Sequence, residues 1–184
     1  MISPDALTPE QARLLEEFRA VFFRLRESLG QSWNRVLPLG DYVGDRWEKA
    51  RYLGFGEGSS VYDNCLVFGE VKVGVHTWIG PNTILDGSGG LIIGSYCSIS
   101  AGVQIYTHDT VDRALSGGKS ETQRAPTRVG ERCYIGPQTV VCKGVSIGDG
   151  CVIGAHSLVN RDIPPNSKAY GVPCTVVGPS SAKE

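Results

Sequence analysis

Residues 129–160 read VGERCY IGPQTV VCKGVS IGDGCV IGAHSL VN. Every six-residue block opens on an aliphatic side chain, and most blocks follow it with glycine. The spacing extends backwards through Ile105, Ile99, Ile93, Leu85, Ile79, Val73, Val67 and Val61. Only two intervals break it: Leu85 to Ile93 is eight residues, and Ile105 to Val129 is twenty-four. A second row keeps step four residues after each aliphatic position: Cys65, Val71, Thr77, Thr83, Cys97, Val103, Cys133, Thr139, Val145, Cys151 and Ser157. A fixed period of six is the mark of a β-solenoid, in which each repeat buries its apolar residue against the next. The expected fold class is therefore an all-β parallel β-helix, with both rows facing inward. The glycine after each aliphatic residue is expected at a tight corner, where a side chain would clash or φ is positive.

The two breaks locate what is not scaffold. Residues 86–90, Asp-Gly-Ser-Gly-Gly, hold a two-residue insertion at a corner. The longer gap leaves eighteen residues beyond one ordinary hexad, placing an inserted loop at about 106–128. Loops carried on a rigid frame are where binding and chemistry concentrate. Asp162-Ile163-Pro164-Pro165 ends the repeat, because two prolines cannot continue a hydrogen-bonded ladder. Gly171-Val172-Pro173 then reads as a turn before a closing strand.

Upstream, Thr8-Pro9-Glu10-Gln11 is a helix start with a capping box and a proline at the first helical position. Leu14, Phe18, Val21, Phe22, Leu25 and Leu29 share one face, and Gly30 is the expected stop. This helix is expected to pack on its own solenoid or on a neighbouring subunit. The chain is thus divided into residues 1–54, a helix and capping segment; 55–178, the solenoid; and 179–184, a tail.

Composition narrows the function. The 184 residues carry a formal net charge of -1 with no long basic run, so nucleic acid is not an expected partner. No apolar stretch reaches the length of a membrane span, and the N-terminus lacks a basic-then-apolar leader, which makes the cytoplasm the expected location. Four of the six cysteines fall in the second inward row, where they are expected as small core fillers with free thiols. No CxxC pair suggests a metal site, so none is expected.

Of the three histidines, His76, His108 and His156, each stands three residues after a repeat aliphatic and so faces outward. His108 alone opens the inserted loop. A histidine at a rigid coil edge beneath a loop is placed to act as a general base. Ala101, Pro137 and Ala155 fall in one column, one coil apart, and would leave backbone reachable along a groove.

The paired rows, the V/I-G blocks and the Asp-Ile-Pro-Pro terminus resemble the hexapeptide-repeat, or isoleucine-patch, acyltransferases over roughly residues 55–178. The resemblance implies a left-handed coil of three hexads per turn, a homotrimer with sites between subunits, and acetyl-CoA as co-substrate. In the galactoside and maltose acetyltransferases of this family a histidine opens the same loop and deprotonates the acceptor hydroxyl, a role that falls here on His108. Those enzymes usually carry proline after it, and Asp109 stands here instead. Glu121 is similar to the loop glutamate of that family, counted back from Gly130; it or a backbone carbonyl would orient the imidazole. Asn82 matches the family's substrate-binding asparagine, although asparagine is also a common corner residue; Asp86, on the insertion, is a weaker substrate-binding candidate. Ala155, Asn160 and Arg161 resemble the family's run before the terminal signal. Thr175 replaces an arginine near the nucleotide, a role Lys168 would then fill. The coenzyme set is accordingly Ala101, Pro137, Ala155, Asn160, Arg161 and Lys168. The expected activity is O-acetylation of a sugar, sugar-nucleotide or glycan acceptor, for example a bacterial surface-polysaccharide precursor. An amino-sugar N-acetyltransferase and a non-catalytic β-helix scaffold stand as alternatives, and a γ-class carbonic anhydrase is a remote one.

Overall fold

A computed structural model describes residues 7–180; residues 181–184 of the expected tail lie outside the described residues. The chain divides into two compact units, Met1–Asp45 and Arg46–Glu184.

In the first unit, α1 spans Pro9–Trp33. Its capping box forms: the Gln11 amide donates to the Thr8 hydroxyl at 3.3 Å, and the Thr8 amide donates to the Gln11 side chain at 2.9 Å. The helix does not stop at Gly30. It continues to Trp33 and ends on Asn34, whose φ of 50° is left-handed and whose N–H donates to the Gly30 carbonyl. Asparagine tolerates that conformation through local hydrogen bonding, so it supplies the stop that glycine was expected to give. A short helix, α2, follows at Gly40–Val43, and its Tyr42 ring meets Phe22 edge-on at 5.6 Å.

The second unit is a parallel β-solenoid of about six turns. One face stacks Val61, Ile79, Ile99, Ile135 and Ile153 in register. A second stacks Val67, Leu85, Ile105, Val141 and Val159, and a third stacks Val73, Ile93, Val129 and Ile147. All of these except Val67 are buried. Burying each such side chain contributes about 1.5–3 kcal/mol relative to exposure, which makes the six-residue phase hard to slip.

The glycines of the repeat act by close approach, not by conformation. A Cβ on Gly136 would fall 2.5 Å from the Ala155 amide of the next coil, closer than real Cβ atoms come. The left-handed residue lies two positions later and is mostly not glycine: His76, Asn82, Tyr96, Arg132, Gln138 and His156 all have φ of 52–60°. Two of the three histidines, His76 and His156, are thereby corner residues of the coil.

The second inward row is more than filling. Thr77 and Thr139 donate their hydroxyls to the carbonyls of Gly94 and Gly154, each one coil on. The thiols of Cys65, Cys97 and Cys133 do the same to Gly80, Gly130 and Gly148 at 3.0–3.1 Å. At these corners a small donor gives a carbonyl of the neighbouring coil a hydrogen-bond partner, while Val71, Val103 and Val145 of the same row only fill space.

Both ends of the solenoid are closed. Helix α3, Arg46–Tyr52, packs against the first strand with Ala50 buried. Its Lys49 ammonium donates to the carbonyls of Tyr62, Asp63 and Cys65, which face the open end of the first coil. At the other end Ser167–Gly171 and Cys174–Pro179 form an antiparallel hairpin on the first face. Among the described residues no helix is long and apolar enough to cross a membrane.

The insertion at residues 86–90 sits inside a continuous strand, Ile84–Ile93, that runs around one corner. On one side this strand pairs with Leu66–Val73 along its length. On the other it pairs with two separate strands, Gln104–Ile105 and Thr127–Val129. Between those two the inserted loop leaves the coil, so the insertion lies at the loop's exit.

Candidate active site

The loop departs through a two-residue stem: His108–Asp109 pairs antiparallel with Gln123–Arg124, and a one-turn helix, α4 (Val111–Leu115), follows. The stem brings His108 over residues 86–90. Its Nδ1 lies 2.6 Å from Oδ2 of Asp86. Asp86 is only 1% exposed, and its carboxylate is saturated with donors. Oδ1 accepts the Ser88 amide at 3.0 Å and the Ser88 hydroxyl at 2.5 Å, while Oδ2 accepts the Thr107 amide at 2.8 Å. Thr107 locks the junction, because its hydroxyl donates to the Asp86 carbonyl at 2.8 Å and accepts the Gly89 amide at 2.7 Å.

Burial alone would raise the Asp86 carboxyl. The bonds from the Ser88 hydroxyl, the Thr107 and Ser88 amides and His108 outweigh it and hold Asp86 well below the usual carboxylate range. An ionised carboxylate only accepts. The neutral imidazole must therefore carry its proton on Nδ1, which leaves the lone pair on Nε2 of a ring that is 35% exposed. A buried acceptor and an imidazole oriented with its lone pair on Nε2 are the parts of a general base with its tautomer fixed.

The other candidates fall in three places. Glu121 is exposed on the loop, and the carboxylate at Nδ1 is Asp86. Asp86 itself is 1% exposed and faces the histidine. Asn82 is an exposed left-handed corner residue, and its Oδ1 accepts from Asn64 of the preceding coil at 2.8 Å. It lies on the corner after the first face, as do Ala101, Pro137 and Ala155. These three stack one coil apart: the Gln138 amide donates to Ala101 and the His156 amide to Pro137. His108 lies on the next corner, after the second face. Asn160 and Arg161 share that edge, two coils further on, through the Ile105, Val141 and Val159 register. Lys168 is exposed on the first face, opposite Val152. One chain thus unites His108 and Asp86 but keeps Asn82 and the Ala101 column on a different corner.

Sequence reasoning missed Thr107 and Ser88. The signal was present in the Asp-x-Ser spacing of residues 86–88, an Asx-turn pattern in which a carboxylate collects its own downstream amide and hydroxyl.

The family model described as bacterial transferase hexapeptide (six repeats) matches residues 126–161. Galactoside O-acetyltransferase of Escherichia coli K12 is 52% identical over 52 residues, covering 28% of this chain and 26% of that one. An E. coli K12 protein, provisionally named as a colanic acid biosynthesis acetyltransferase, is 30% identical over 110 residues, covering 59% and 58%. The structure of a hexapeptide-repeat-containing acetyltransferase from Vibrio cholerae O1 biovar eltor, complexed with acetyl coenzyme A, superposes with a TM-score of 0.66. It is 25% identical and covers 99% of this chain and 94% of that one. The chain spans only 26% to 58% of the length of these curated relatives. In its repeat, its coil and these matches the chain is similar to hexapeptide-repeat acetyltransferases.

Proposed function

We propose that the protein transfers an acetyl group from acetyl-CoA to a hydroxyl of a sugar-bearing acceptor. The observation that carries this reading is the His108 imidazole held through Nδ1 by a buried carboxylate, in a ring that stays 35% exposed at the loop exit. Nε2 removes the acceptor's hydroxyl proton as that oxygen attacks the thioester carbonyl. Backbone amides at the coil edge stabilise the oxyanion. The C–O bond forms, the C–S bond breaks, and the proton on Nε2 passes to the departing coenzyme thiolate.

The coenzyme is proposed to run along exposed coil edges. Ala101, Pro137 and Ala155 leave backbone reachable for its chain, and Arg161, Asn160 and Lys168 lie near its phosphates. These residues occupy two corners and a face, so one chain does not line a single cleft with them. In a homotrimer a second copy would lay its Asn82 and Ala101 corner against the His108 edge of its neighbour, and the separation of these residues on one chain supports such sites between subunits. The similarity to the provisionally named colanic acid biosynthesis acetyltransferase supports a surface-polysaccharide precursor as acceptor, acetylated in the cytoplasm.

The test is coenzyme A release measured against a panel of sugars, amino sugars and sugar nucleotides. Turnover is expected with a hydroxyl acceptor, and His108→Ala is expected to lower it by about 10²–10⁴-fold while acetyl-CoA still binds. Near-normal turnover in His108→Ala defeats the mechanism, and transfer only to amino groups defeats the O-acetyl assignment. A stable, active monomer in light scattering defeats the shared site.

A further inference from the structure

We propose that Asp109 and Lys143 form the second arm of a brace that positions His108, which makes Lys143 a positioning residue acting through Asp109. Successive residues of a strand point to opposite sides. In the stem strand His108 turns to Asp86, at 2.6 Å, and Asp109 turns to Lys143, with Oδ2 3.0 Å from Nζ. Leu85, Ile105 and Val141 are in register, so Asp86 and Lys143 belong to the coils on either side of the one that the dipeptide leaves. A two-residue segment is therefore fastened to both neighbouring coils. The other oxygen of Asp109 accepts the Val111 amide at 3.2 Å, where α4 begins, so the same side chain also starts the loop.

The pair has an electrostatic consequence as well. The Lys143 ammonium holds the Asp109 carboxyl below its ordinary range. Without Lys143, an uncompensated carboxylate one residue from the imidazole would favour the protonated ring and lower the fraction that acts as base. The charged and titratable groups around His108 are Asp86 from the insertion, Asp109 on its own strand, Arg124 on the opposing stem strand, and Cys142 and Lys143 from the following coil. Two of these oppose each other in sign and touch, so removing either one should move the ring in a direction set by the survivor.

This inference rests on His108 as the base of the proposed reaction, and its test separates the two ideas. The His108 ring is titrated by NMR in the intact protein, beside steady-state kinetics. Lys143→Met should move the ring's midpoint to higher pH, and Asp109→Asn should move it to lower pH. The double variant should return toward wild type, and Lys143→Arg should stay close to it. Each single variant should lower kcat about two- to five-fold, the scale of a partly exposed ion pair, with KM for acetyl-CoA unchanged. A purely structural pair would shift both single variants in the same direction or not at all, and either result overturns the brace. Opposite shifts in a protein that releases no coenzyme A with any acceptor would uphold the brace and defeat the acetyltransferase reading.

Discussion

Asp86→Asn is the substitution on which the site stands or falls. The wild-type carboxylate accepts from four donors: the Ser88 amide and hydroxyl, the Thr107 amide and, through Nδ1–H, His108. Asparagine keeps one accepting oxygen and puts an NH₂ at the other position. If the oxygen stays with Ser88, the NH₂ faces the Thr107 amide and His108, and the ring must turn its Nδ1 lone pair inward. Its proton then sits on Nε2, where the base is needed. If the amide flips, the NH₂ meets the Ser88 donors in a site that is 1% exposed. The first outcome fixes the wrong tautomer, and turnover should fall by about 10²–10⁴-fold. Either outcome leaves at least one buried donor without a partner, and stability should fall by about 1–3 kcal/mol. The pH dependence has a definite sign. Asp86 is lowered in the folded state, so its stabilisation is complete above the unfolded carboxylate's range and is lost as pH falls through the folded value. The gap in melting temperature between wild type and Asp86→Asn should therefore be widest near neutral pH and narrow in acid. Glu121→Gln, at an exposed loop position where Asp86 already holds Nδ1, should leave turnover within about twofold of wild type. Coenzyme A release and thermal melts across pH measure all of this. A folded Asp86→Asn protein with wild-type turnover would refute the reasoning.

Cys97→Ser should be milder than Cys97→Ala in urea unfolding, because a hydroxyl can donate to the Gly130 carbonyl as Thr77 does to Gly94, whereas alanine forfeits the bond and costs about 1–3 kcal/mol. The opposite order would return the cysteine row to mere filling. Lys49→Met should lower the melting point by removing the ammonium that serves three carbonyls at the start of the coil, again by about 1–3 kcal/mol, and an unchanged melt would mean that water replaces it without loss.

The period of six was enough to place nearly every inward side chain. Inward or outward direction is a local property: it repeats with the chain's own geometry, and a slip of one residue would expose a whole row. The same phase located the inserted loop and singled out His108, since only that histidine stands where the repeat stops. What approaches its Nδ1 was not legible. Asp86 is 22 residues away in sequence and reaches the ring only because an eight-residue interval lets its strand round the corner at the loop's exit. Glu121 had the better spacing by family likeness, but a loop carboxylate is placed by the loop's path, which no short period encodes. The corner residues show the same division. The sequence marked glycine as special at each corner, and only stacking of the coils decided that the reason is contact with the next backbone, while the left-handed turn falls to His76, Asn82 and their equivalents. Phase is set along the chain; partners are set across coils, where insertion lengths and buried hydrogen-bond demand decide which side chains meet.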